Sequence, residues 1–128
     1  LLSPWLDVSM NDPKIVEIQK QDAILNHDTL QKIGKLYAGS HALNDPVVNP
    51  LVGSFSGIKH IAVWSGTYDI LYADALALKE KVSKEDVILD MHIYENMLHT
   101  WIYFGILESK QVMNEIVQTI LQMSEVKT

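Results

Sequence analysis

The stretch that most constrains the fold is "KHIAVWS" at 59–65, where four apolar residues, Ile61 to Trp64, run without a polar break. A short, β-branched-rich run without alternation fits a strand covered on both faces, as in the interior of a parallel sheet. A helix pattern follows over 70–82, "ILYADALALKEKV", with Leu71, Ala75, Leu78 and Val82 on one stripe. A second strand is predicted over 86–94, where Val87, Leu89, Met91 and Ile93 alternate with Ile88, Asp90, His92 and Tyr94, giving one buried and one mixed face. A last helix is predicted over 107–124, with Val112, Ile116, Val117, Ile120 and Met123 on one side. Strand, helix, strand, helix is the order of an α/β fold, a parallel sheet with helices on its faces.

Two strands alone cannot make such a sheet, because each leaves an edge and a face uncovered. A single α/β domain usually needs roughly 200–250 residues. The 128 residues are therefore expected to be the C-terminal portion of one α/β domain, with most of the sheet upstream of Leu1. The opening "LLSPWLDVSM" has no basic segment and no long apolar core, so it is not read as a signal peptide. Residues 8–25 lack a firm period and are expected to be mostly irregular, lying over something else. Residues 27–38 predict a helix, with Leu30, Ile33, Leu36 and Tyr37 on its apolar face, Asn26 as N-cap and Gly39 as its stop. Residues 39–58 predict a long loop.

Composition narrows the function. A net charge of −6, with the ten Lys and Arg scattered, argues against a nucleic-acid or anionic-membrane surface. No apolar run reaches the ~18 residues a membrane span needs. With no cysteine there is no disulfide, no zinc–thiolate site and no Cys nucleophile. A cysteine-free chain fits a reducing compartment, so a cytoplasmic address is expected.

Ligand sites in open α/β sheets form beyond the C-terminal ends of the strands. Asp69 lies in the loop leaving the first strand and His99 in the loop leaving the second, 30 residues on. One strand–helix–strand unit returns both loops to the same sheet edge. There a carboxylate can accept the imidazole Nδ1–H, leaving Nε2 as a general base. Spacing alone leaves other readings open. An Asp after a strand also serves as a helix N-cap, and a lone loop His is commonly a surface residue. Asp90 and His92 have metal-like spacing but no third ligand nearby, so no metal site is expected. Asp74, His27, His41 and Glu115 read as solvated surface. The aromatics Trp101, Tyr103 and Phe104 read as core or as a wall of an apolar pocket.

Several strings occur together and in order: "SPWLD" at 3–7, "DAIL" at 22–25, "KLYAG" at 35–39, the run 45–78 with P-L-x-G-x-x-S-G and G-x-x-D-x-L, and "YENMLHTW" at 94–101. As an ensemble, from Leu2 to about Ile120, they resemble the hormone-sensitive-lipase-like esterases of the α/β-hydrolase superfamily. The resemblance implies a carboxylic-ester hydrolase with Asp69 as triad acid and His99 as triad base. Trp101, Leu98 and Ile70 would contact a small-molecule ester, and 8–40 would be a cap segment. It implies no cofactor. The family's G-x-S-x-G nucleophile elbow is absent: "GSFSG" at 53–57 centres on Phe55 and has no strand before it or helix after it. Triad order in these hydrolases is Ser, Asp, His, so the nucleophile is expected upstream of Leu1 and these residues alone are expected to be inactive. Lys59–His60 replace two prolines usual in the family, and Asn96 stands where Gly is usual before the M-x-H turn; Asn tolerates positive φ. The alternative is a catalytically inactive binding module on the same fold, distinguished by what replaces the upstream serine.

Overall fold

The computed structural model describes residues 1–125. Strand β1 (His60–Gly66) pairs in parallel with β2 (Ile88–Tyr94), in a register running from His60 opposite Ile88 to Gly66 opposite Tyr94. On the other edge of β1, Leu2 bridges Trp64 in parallel: Ser3 N–H donates to Trp64 O at 2.8 Å and Trp64 N–H to Leu1 O at 2.9 Å. β1 is thus flanked on both sides. Its unbroken apolar run is explained by what covers its faces. Ile61 and Val63 join Leu6, Phe55, Ala75, Leu78 and Val82, while Ala62 and Trp64 join Trp101, Ile102 and Val112. Edge strand β2 has no fully buried residue, although Leu89 and Met91 pack on the first cluster.

Helix α1 (Lys14–Ile18) lies inside the stretch expected to be irregular. It is only five residues long, too short for a periodicity to show, and it is held by one wholly buried side chain, Ile15. Helix α2 (His27–Ala38) starts and stops where the capping residues put it. Asn26 accepts from Thr29 N–H at 3.0 Å, and Gly39 ends it at φ +57°.

The buried face of α2, however, is Leu30, Gly34 and Ala38; Leu36 and Tyr37 are 82% and 70% exposed. The reason is a close approach. A Cβ on Gly34 would lie 2.1 Å from Val8 O, so the helix meets the 5–10 segment on its small residues and turns its large ones outward.

Helix α3 (Tyr72–Val82) begins two residues later than the periodicity suggests, because Asp69 to Leu71 are spent on a turn. Its stripe of Leu71, Ala75, Leu78 and Val82 is buried. Helix α4 (Leu107–Glu125) buries Val112, but Val117 and Ile120 are half or more exposed. Its N-terminal half lies over Trp64 and Trp101, and its far half borders an apolar groove of about 620 Å³ beside Leu1, Leu2 and Ile58. Among the described residues, no helix is long and apolar enough to cross a membrane.

Candidate active site

Two loops at the C-terminal edge of the sheet are stitched together. Thr67 N–H donates to Tyr94 O at 3.0 Å, Tyr68 N–H to Met97 O at 3.0 Å, and Asn96 N–H to Thr67 Oγ1 at 2.8 Å. Gly66 makes this possible, because a Cβ there would sit 2.1 Å from the carbonyl oxygen of Met97. The second loop needs two residues in left-handed backbone, Asn96 at φ +63° and Thr100 at φ +53°. Thr100 N–H is held at 3.3 Å by Ser3 Oγ, 97 residues away.

In this frame Asp69 and His99 meet. Asp69 is wholly buried and divides its oxygens. Oδ1 accepts from Leu71 N–H at 2.9 Å, and Oδ2 lies 2.9 Å from His99 Nδ1. The carboxylate closes the turn before α3 with one oxygen and meets the imidazole with the other; it is not the helix N-cap, a place that Leu71 takes. The His99 side chain is 22% exposed.

The three residues expected to contact a substrate are placed unequally. Ile70 and Trp101 have essentially no exposed surface, each being packed in a core cluster, and Leu98 is partly exposed. Tyr103 and Phe104 are exposed beside them.

One surface assignment is overturned. Asp74 is 2% exposed, not solvated. Its Oδ2 accepts from Leu6 N–H at 2.6 Å and from Asp7 N–H at 2.9 Å, tying α3 to the segment after the first strand stub. Burial outweighs those two bonds and pushes its carboxyl up to about 6. Glu115 is exposed, as expected, and accepts from the Tyr94 hydroxyl at 2.6 Å. Burial, helped by that carboxylate, pushes the hydroxyl up to about 12. Asp90 pairs with His60 rather than with His92, whose ring stacks on Trp64 at 4.6 Å. His27 is half-buried, its Nε2 lying 2.8 Å from Met10 O, and exposed His41 pairs with Asp45. No group of three or more His, Cys, Asp or Glu able to hold a metal occurs among the described residues.

The sequence did not reveal Asp22 or Ser3 as part of this arrangement. Both act through single hydrogen bonds across 48 and 97 residues, and no local pattern marks such a bond.

A parallel strand–helix–strand unit with an acid and a histidine at adjoining strand ends defines a class, and comparison with known proteins places the chain within it. Residues 1–103 match the family model of the alpha/beta hydrolase fold, and the chain belongs to that family. More narrowly, it is a hormone-sensitive-lipase-like α/β-hydrolase. An esterase of Acinetobacter venetianus is 30% identical over 121 residues, 92% of this chain and 40% of that protein. A triacylglycerol lipase of Mycobacterium tuberculosis is 29% identical over 119 residues, 91% of this chain and 23% of that protein. Among solved structures, an esterase from the bacterial hormone-sensitive lipase family superposes with a TM-score of 0.88 at 27% identity, over 92% of this chain and 40% of the other. The chain thus spans 40% or less of these relatives' lengths.

Proposed function

We propose that these residues supply the acid and the base of a Ser-His-Asp triad in a carboxylic-ester hydrolase, with the serine contributed by residues preceding Leu1. The observation that carries the reading is the 2.9 Å contact between buried Asp69 Oδ2 and His99 Nδ1 at adjoining strand ends. The relatives being an esterase and a triacylglycerol lipase supports the ester as substrate.

In this mechanism Asp69 accepts the Nδ1–H, fixes the tautomer and stabilises the imidazolium. His99 Nε2 takes the proton of the serine hydroxyl as it attacks the ester carbonyl, then gives it to the departing alcohol. The same nitrogen next takes a proton from water, which attacks the acyl-enzyme and releases the acid; the proton returns to the serine. Leu98 borders the bound ester, while Ile70 and Trp101 back the turns from behind. Residues 8–40 form the cap. The 128 residues alone are inactive, lacking the nucleophile.

In the complete enzyme, Asp69→Asn and His99→Ala each lower kcat/KM on a short-chain p-nitrophenyl ester by on the order of 10⁴-fold. Turnover that survives both changes would end the proposal.

A further inference from the structure

Outside the Asp69–His99 pair, Asp22 is a further buried carboxylate. It is 9% exposed and sits in the turn between α1 and α2. Like Asp69 it divides its oxygens. Oδ1 accepts from Ile24 N–H and Leu25 N–H, both at 2.9 Å, so the carboxylate is fixed by its own turn. Oδ2 crosses 48 residues to accept from Ile70 N–H at 2.8 Å. Ile70 is wholly buried, so water cannot serve that amide. The consecutive amides of Ile70 and Leu71 are therefore claimed by two different carboxylates, Asp22 and Asp69. Without Asp22 a buried donor is left unpaired, at the full cost of its desolvation. That amide belongs to the peptide bond that begins at Asp69, so the Asp22 bond acts on the backbone that carries the carboxylate facing His99.

We propose that Asp22 is a positioning residue: by holding the Ile70 amide it sets the orientation in which the Asp69 carboxylate meets His99. This rests on Asp69 being the triad acid. Asparagine is the sharp probe. Its single oxygen can serve its own turn or Ile70 N–H but not both, and its NH₂ would face a donor.

The test measures kcat and KM of the complete enzyme on a p-nitrophenyl ester for Asp22→Asn, Asp69→Asn and the double variant. A control, Gln19→Ala, loosens the same turn, because Gln19 bonds Leu25 O and His27 N–H without touching Ile70. A misplacement of about 1 Å at a reacting group costs on the order of 10²-fold. Asp22→Asn is expected to lower kcat by about that factor with KM unchanged, and to add nothing in the Asp69→Asn background. Gln19→Ala is expected to lower Tm but not kcat.

An unchanged kcat in Asp22→Asn, losses that multiply in the double variant, or an equal loss in Gln19→Ala would each overturn the role. An Asp69→Asn enzyme with full activity would instead remove the triad reading on which it stands. Should Asp22→Asn fail to fold, Asp22→Ser carries the same readouts, since serine caps its own turn but is too short for Ile70.

Discussion

Gly66 shows how little space the site leaves. Its missing Cβ is what lets the Met97 carbonyl descend onto the end of β1, and a methyl there would meet that oxygen at 2.1 Å, well inside contact distance. The clash is with backbone, so no side chain can swing away; the whole Met97 to Thr100 turn must lift. Gly66→Ala in the complete enzyme is expected to lower kcat on the order of 10²-fold, as a misplaced His99 would, and to lower Tm as well. A variant with unaltered melting and turnover would mean the turn is slack. At this scale the Asp69 and His99 positions were legible in the strings around them. The bonds of Ser3, Asp22 and Asp74 were not, although the first two residues open the strings SPWLD and DAIL, because a bond to a backbone amide far along the chain leaves no periodic or compositional trace.

Among the elements, α3 carries the most unusual burden, a buried carboxylate in its first turn. Asp74 joins α3 to Leu6 and Asp7, yet its environment favours the neutral acid, with its folded value about 6 against an ordinary 3.8. The folded state therefore holds this proton more tightly than the unfolded chain does. Stability from this group is greatest below pH ~4, falls as pH rises toward about 6, and is level above that. Asp74→Asn keeps an oxygen for both amides and removes the titration. Its Tm relative to the parent is expected to rise from pH 4 to pH 6.5 and then stay constant; parallel melting curves across that range would refute the argument. The same sequence stripe that located α3 could not distinguish Asp74 from a solvated residue, since period alone gives a direction and not what lies there. On α2 period misled outright: Gly34 and Ala38, too small to register as apolar anchors, make the contact, and Leu36 and Tyr37 face out.

In the whole molecule, one strand organises both layers. The cluster of Leu6, Phe55, Ile61, Val63, Ala75, Leu78 and Val82 on one side of β1 is the larger apolar core, and Leu78 is wholly buried in it. Leu78→Ala is expected to cost about 2–5 kcal/mol by chemical denaturation of the complete enzyme; a loss under about 1 kcal/mol would show the cluster is loosely packed. The opposite layer is thinner, and α4 leaves half of its apolar stripe on a groove of about 620 Å³.

What the amino-acid order determined unaided was local and repetitive: an inner strand from four successive apolar residues, α2 from its two caps, the alternation of β and α, and the strand ends where chemistry would collect. These follow from periodicity and capping, which act over a few residues. Tertiary structure alone decided which face of α2 is buried, that Asp74 and Asp22 are interior, and that Asp69 divides its oxygens between a turn and a histidine. The first depends on Val8 lying against Gly34, 26 residues on, and the others on groups 30 to 68 residues apart being brought within 2.9 Å; only the packed tertiary structure sets such distances.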